Sequence, residues 1–479
     1  MSKYLVSTMA IESITNLKRR KEDRTRTQSS KPFYEFINNL SDSLLFEILY
    51  RLPWLSVLRC KSVSKRWNSL ISNPYFVKSF IHHRRQQFGM HYLEPSFTLL
   101  LQYTYDHKNI LPIPSDNSDF FISRGSNGGI DFLNFLPSIV ERVKQQYSFR
   151  IEASFNDLLL VYCFPNYYIC NPLTKTWFTL PLLPYPMGRE TIVMIGFIWE
   201  PYSCEDKDDR DPCVTARYKV VRICSPIQRN QIEMEIFSSE TGEWCSSVVS
   251  SPRRLSYSNY KTIDVGVVAC NTMLHWVDVD EKDKMIKGFV GFDPFNDAQQ
   301  CCYIDPPTDL LRDEFISLGV FQGRLRIYQR PWLPMKACNF YVWELEDYIN
   351  AGTWCLKHKV YFKDMVSDYP GLVKIAKEFH PPVDLLAFHP NDGELVFLQF
   401  RNYVVLCNMR TVVLKFAGQL QDMGKILLGN SNNFVTVQAK SAFVLRQPLF
   451  PTQLFPKPIP KPIPPPLWSR PYRRFSYEV

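Results

Sequence analysis

NLSDSLLFEILYRLPWLSVLRCKSVSKRWNSLISNPYF, residues 39–76, is the stretch on which the fold turns. Ser41 or Asp42 can cap a helix, and Asp42 also suits the positive end of the helix dipole. Leu44, Leu45, Ile48, Leu49 and Leu52 follow at the spacing of one helical face, so the sequence predicts a single apolar stripe. Pro53 stops the helix because it has no N–H and clashes with the turn before it. Leu55, Leu58 and Val63 read as a second helix and Trp67, Leu70 and Ile71 as a third, with Asn73-Pro74 as its stop. Three short helices cannot enclose so many large apolar side chains, so part of the stripe is expected to lie open for a partner.

From about residue 96 the period changes from helical to alternating. Residues 96–104 (SFTLLLQYT), 157–162 (DLLLVY), 218–224 (YKVVRIC), 232–238 (IEMEIFS), 287–292 (KGFVGF), 324–328 (RLRIY), 394–400 (ELVFLQF) and 404–408 (VVLCN) are rich in β-branched and aromatic side chains. Gly, Pro, Asn and Asp bound them, as expected of strands. Only short helical turns are expected to interrupt, for example near residues 134–146 and 370–377.

A loose repeat runs through this body. Asn171-Pro172-Leu173-Thr174-Lys175-Thr176-Trp177 reads as the end of a strand, a turn, and a Trp opening the next strand. Residues 235–244 repeat the design and end on Trp244, and residues 291–296 (GFDPFN) repeat it without the Trp. Residues 341–354 repeat it with a longer loop and carry Trp343 and Trp354, and residues 404–408 are a degenerate fifth copy. The spacing of roughly 50 to 67 residues suits blades of four strands. Each such sheet has two apolar faces that must stack on neighbours, which radial packing into a propeller satisfies. Residues 96–150 with 426–445 can close a further sheet, so about six blades are expected. Asn171, Pro172 and the recurring Trp residues are expected to form the repeat core, with the Trp packed between blades.

The expected organisation is multidomain, α followed by all-β: a disordered basic leader (1–33), a helical domain (34–87), the propeller (88–447) and a Pro-rich tail (448–479). Residues 1–31, 32–87 and 446–479 each carry +5, which leaves −6 on 88–445 out of a total of +9. A chain that tracks phosphates gathers its positive charge on the folded binding surface, so no nucleic-acid partner is expected. No run approaches the roughly 18 to 20 apolar residues that span a bilayer, and no membrane partner is expected either. Thirteen cysteines without a CxxC pair read as free thiols of a reducing compartment, the cytoplasm and/or nucleus. Lys18-Arg19-Arg20-Lys21 reads either as a nuclear import signal or as a solvated basic run. Residues 448–471 cannot join a sheet and read as an extended polyproline-type tail, either a spacer or a ligand for an SH3- or WW-like groove.

No arrangement for catalysis stands out. Residues 418–426 (GQLQDMGKI) have one residue too many between the glycines for a phosphate loop, and Ile where a Ser or Thr should bind magnesium. His380 and His389 have no Cys or His at ligand spacing. The cluster Asp206, Asp208, Asp209 and Asp211 lacks the Gly and terminal Glu of a calcium loop. Cys301-Cys302 reads as two strand residues facing opposite sides. No catalytic residue, metal or cofactor is expected.

The helical segment resembles the F-box. Leu44-Leu45, Glu47-Ile48-Leu49, Arg51-Leu52-Pro53, Arg59, Lys61-Ser62-Val63-Ser64-Lys65, Trp67, Leu70-Ile71 and residues 74–76 match that family's pattern. One departure stands at its start, where the family's Leu-Pro reads Leu40-Ser41. The body resembles the kelch-like, F-box-associated domain of plant F-box proteins, through residues 171–177 followed by Leu180-Pro181 and through Tyr218-Lys219-Val220-Val221-Arg222. The resemblance implies a non-catalytic adaptor of a Skp–cullin–F-box ubiquitin ligase. Leu40, Leu44, Leu45, Ile48, Leu49, Leu52, Pro53, Leu58, Val63 and Trp67 would make or support the contact with a Skp-type adaptor and, through it, cullin. Arg51, Arg59, Lys61, Lys65 and Arg66 would suit an acidic adaptor, and the propeller would hold an unknown protein client. The alternatives are an F-box scaffold outside the ligase, or a ligand-binding propeller with a vestigial F-box.

Overall fold

The computed structural model describes residues 40–88, 96–103, 110–115, 133–137, 149–163, 165–182, 192–200, 217–228, 230–255, 266–280, 286–296, 300–310, 314–331, 339–347, 352–361, 365–369, 371–373, 383–420, 439–446 and 452. The leader, nearly all of the Pro-rich tail and the acidic cluster at 206–211 lie outside the described residues, as does most of each expected helical turn. The chain divides into two compact units, 1–96 with 201–215 and 446–452, and 97–200 with 216–445 and 453–479.

Among its described residues the first unit holds four helices, α1 (Asp42–Tyr50), α2 (Trp54–Cys60), α3 (Lys65–Ser72) and α4 (Pro74–Phe88). Ser41 caps α1, its hydroxyl accepting the Leu44 N–H at 3.4 Å, and Ser64 caps α3 in the same way for Trp67. α3 stops at Asn73-Pro74 as expected, and α4, which was not expected, starts there at once. The Asn73 side chain accepts the Tyr75 N–H at 2.9 Å, and Pro74 takes the first helical position, where its missing N–H costs nothing. Val63 lies in the turn after α2 and not within that helix. Leu45, Leu49, Val57, Trp67, Ile71, Phe76 and Phe80 form the core, the last two supplied by α4.

In the second unit, β1 (Phe97–Tyr103) and β2 (Ile110–Pro114) come first. Blade one follows as β3 (Phe149–Phe155), β4 (Leu158–Cys163), β5 (Asn166–Asn171) and β6 (Thr176–Thr179). Blade two is β7 (Ile192–Glu200), β8 (Arg217–Gln228), β9 (Gln231–Ser238) and β10 (Glu243–Ser250). Blade three is β11 (Val268–Cys270), β12 (Met273–Val279), β13 (Ile286–Phe292) and β14 (Cys301–Ile304). Blade four is β15 (Glu314–Phe321), β16 (Arg324–Pro331), β17 (Asn339–Asp347) and β18 (Thr353–Tyr361). Blade five adds β19 (Val366–Ser367), parallel to β23, outside the antiparallel β20 (Val383–Phe388), β21 (Leu395–Phe400), β22 (Tyr403–Asn408) and β23 (Val413–Gln419). The last strand, β24 (Ala439–Arg446), returns to β1 and makes the sixth sheet, β2-β1-β24.

The cores show that these sheets close a ring. One cluster joins blade one to two, the next two to three, then three to four and four to five. Another sets Phe97, Leu99 and Leu101 of the sixth sheet on Phe397 and Val404 of blade five. The last sets Leu100, Phe443 and Leu445 of the sixth sheet on Phe149, Ile151 and Leu159 of blade one. Each buried Leu or Phe contributes about 1.5–3 kcal/mol, so neither face of any blade is dispensable. This is a six-bladed propeller sewn shut by strands from the two ends of the body.

The repeat is a turn chemistry. The Asn171 side chain accepts N–H groups from Leu173 and Thr174 at 3.0 and 3.3 Å and donates to the buried Asp157 at 2.7 Å. Asn408 accepts from Arg410 and Thr411, and Asp293 from Phe295 and Asn296, in the same way. Short acceptors close such turns locally, which is why the motif was visible. Between blades four and five, side chains alternating along β16 reach across. Arg326 donates to the Gly393 carbonyl (2.9 Å), Tyr328 to the Val383 carbonyl (2.7 Å) and Arg330 to Asp384 (2.9 Å).

Candidate functional site

The predicted stripe on α1 separates into two faces. Leu45 and Leu49 are fully buried, whereas Leu44 is 53% and Ile48 43% exposed. Residues four apart share a helix face and adjacent residues stand about 100° apart, so these two pairs point in different directions. The single-stripe expectation is corrected accordingly: the core takes one pair and leaves the other outside. Pro53, at the start of α2, and Leu55 are also exposed, while Leu40, Leu52, Leu58 and Val63 are half-buried. Trp67 is buried and belongs to the supporting core. Tyr75 on α4 is exposed as well.

Charge around this apolar face is partly committed. Arg51 pairs with Glu47 at 3.2 Å, and Arg66 is held by Asp42 at 2.5 Å and by the Leu40 carbonyl at 2.6 Å. Arg59 and Lys65 are exposed, and burial lowers the Lys61 ammonium from its ordinary range. Burial pushes the Cys60 thiol up to about 11, which keeps it protonated and a poor nucleophile. Leucine, isoleucine and proline rimmed by cations provide for association, not for bond chemistry.

Among the repeat Trp residues, Trp244 on β10 and Trp354 on β18 are equivalent. Their indole N–H groups donate to the Pro181 and Asp305 carbonyls at 2.9 and 2.7 Å, each just past the last strand of the preceding blade. Trp343 lies one strand further in, on β17, buried and donating to Gln329 at 2.7 Å. Trp177 is corrected from a core position to the surface. It is 40% exposed on the short β6, its ring 6.1 Å from Phe135. Asn171 and Pro172 are buried, with Asn171 closing the turn already described.

Cys301 is buried and Cys302 exposed, as strand alternation requires. His389 accepts N–H groups from Asn391 and Asp392 and lies against Phe97 and Phe397, a turn-closing role. Among the described residues no three His, Cys, Asp or Glu gather where they could hold a metal, and no helix is long and apolar enough to cross a membrane.

Two family patterns match the chain. The F-box domain matches residues 37–79, and the family described as F-box protein At3g26010-like, beta-propeller, matches residues 125–444, more than half of the chain. At3g23950 of Arabidopsis thaliana is 24% identical over 413 residues, covering 83% of this chain and 89% of its own length. F-box protein At3g26010 of the same plant is 24% identical, with 78% of each chain covered. The term kelch repeat stands in the name of another relative from that plant. A solved α-L-arabinanase of Penicillium chrysogenum complexed with arabinobiose is similar at a TM-score of 0.30 and 8% identity, over 54% of this chain and 76% of that one, too slight a likeness to carry an argument.

Proposed function

The chain belongs to the F-box proteins with an At3g26010-like β-propeller, and on that premise we propose that it is the substrate-recognition subunit of a Skp–cullin–F-box ubiquitin ligase. One observation carries the reading. The helical unit buries a complete core of its own yet leaves Leu44, Ile48, Pro53 and Leu55 in water. Exposed aliphatic side chains on a well-packed small domain are stable only at a modest solvation cost, and a partner that covers them removes that cost. In this reading the Skp-type adaptor covers the face and cullin follows through the adaptor. Leu40, Leu52, Leu58 and Val63 line the border, and Leu45, Leu49 and Trp67 act through the core beneath. Arg59 and Lys65 raise the rate of association with an acidic adaptor more than its strength. The propeller holds a protein client, no residue of the chain acts as a catalyst, and the complex works in the cytoplasm and/or nucleus.

The test is co-purification of the full chain with a plant Skp-type adaptor. Leu44→Asp with Ile48→Asp, and separately Leu52→Ala with Pro53→Ala, are expected to abolish it while the thermal transition of the propeller stays in place. Undiminished capture by both double variants would overturn the proposal. The client is sought by affinity capture under cullin-activation blockade, comparing the parent with the Leu44/Ile48 variant, which should retain the client and lose the adaptor.

A further inference from the structure

Blade five carries an exposed aromatic surface with no part in the adaptor contact. The Tyr369 ring stands 5.5 Å from Phe416 and 6.0 Å from Tyr403, and Tyr403 stands 6.4 Å from Phe416. Phe416 is 48% exposed, Tyr369 42% and the neighbouring Val366 58%. These groups are held in position. β19 pairs with β23 through Val366 and Val413, and the Val366 N–H donates to the Val412 carbonyl at 3.1 Å. Met365 on one side and Leu372 on the other are buried in the core between blades four and five, and the Ser367 hydroxyl accepts the Tyr369 N–H at 3.2 Å. Fixed rings lose little entropy on binding, so a surface of this kind is cheap to occupy.

Rigid exposed aromatics suit a polyproline helix, whose pyrrolidine rings lie flat on them and whose solvated carbonyls accept from tyrosine hydroxyls. The chain contains such a ligand in PKPIPKPIPPP, residues 456–466. That run follows β24, whose sheet packs on blade five. Nine residues separate Arg446 from Pro456, a reach of about 30 Å extended. The five strands of blade five span only about 20 Å. Charge agrees with this occupant. Asp368 is exposed beside Tyr369, and Lys457 and Lys461 punctuate the prolines. Lys415, next to Phe416, projects from the opposite face of β23 by strand alternation.

We propose that residues 456–466 dock on the Tyr369–Tyr403–Phe416 surface of the same chain and occupy the outer edge of blade five. This stands independently of the adaptor reading.

Zero-length carbodiimide cross-linking of the monomeric full chain, followed by peptide mass spectrometry, tests it. The expected product joins Lys457 or Lys461 to Asp368. Its yield should fall at least about fivefold in Tyr369→Ser and in Phe416→Ser, as when an aromatic anchor is removed. Pro462→Ala with Pro464→Ala leaves the propeller untouched, relaxes the polyproline conformation, and should lower the same yield even if the aromatic variants fold poorly. Unchanged yield in the proline variant, or a product found only between chains when isotopically distinct copies are mixed, would overturn the proposal.

Discussion

The indole N–H of Trp354 donates to the backbone carbonyl of Asp305 at 2.7 Å, and the Asp305 carboxylate takes the guanidinium of Arg253, one contact at 2.9 Å. Arg253 follows β10, Asp305 follows β14 and Trp354 lies on β18, so a single aspartate ties three consecutive blades at their outer ends. Trp244 and Pro181 repeat the first link between blades one and two. Hydrophobic cores hold the blades face to face, and these bonds fix how far each can splay.

Trp354→Phe keeps most of the ring and removes the bond, so it is expected to cost about 1 kcal/mol, and Trp244→Phe about the same. Trp177→Phe, at a surface position, should change stability by less than about 0.5 kcal/mol. Urea unfolding of the three variants distinguishes them, and equal losses in all three would refute the assignment of Trp177 to the surface.

Arg222 on β8 and Glu235 on β9 form an ion pair buried inside blade two. Burial raises the Glu235 carboxyl despite the opposing pull of the Arg222 guanidinium, so the charge depends on its partner. Arg222→Met is expected to destabilise by about 3–5 kcal/mol by leaving that carboxylate alone in the core. Arg222→Met with Glu235→Leu should recover most of the loss. A double-mutant cycle by chemical denaturation measures both, and purely additive losses would show that the pair is not coupled.

His275 is fully buried on β12, and burial lowers its pKa to about 4, with a backbone hydrogen bond at Met273 opposing part of the shift. The unfolded chain takes this proton near 6.5, before the folded one does. Stability from this residue is therefore complete above pH 6.5 and declines as the pH falls toward 4, by about 3 kcal/mol in total. Urea midpoints at pH 7.5 and 5.0 should differ more in the parent than in His275→Gln. Identical pH slopes would mean that the imidazole is protonated inside the fold.

Helical period, strand alternation and the Asn171-type turn were legible because each is decided within a few residues. The hydroxyl of Ser41 closes its own helix, and Asn171 closes its own turn. Two features were not legible, for one reason. Whether Leu44 or Leu45 faces the core depends on Phe76 and Phe80, on a helix that Asn73-Pro74 had concealed. Likewise Tyr403 on β22, Phe416 on β23 and Tyr369, two residues past β19, become neighbours only once β19 has added to β23. Burial is a property of what covers a residue, and the covering element is remote in sequence.

The division of α1 gives the sharpest separation of stability from binding. Leu49→Ala cuts a fully buried side chain and is expected to destabilise the helical unit by about 2–5 kcal/mol. Ile48→Asp, one residue away but 43% exposed, should cost less than about 1 kcal/mol by thermal unfolding. At the adaptor the order reverses. An uncompensated carboxylate in an apolar contact costs several kcal/mol, so Ile48→Asp should weaken adaptor affinity by two or more orders of magnitude in calorimetry. Leu49→Ala, assayed at a temperature where it remains folded, should retain most of its affinity because its side chain never reaches the partner. If Leu49→Ala instead lost binding as completely as Ile48→Asp, the exposed face would not be the contact, and the adaptor would be reading the integrity of the helices.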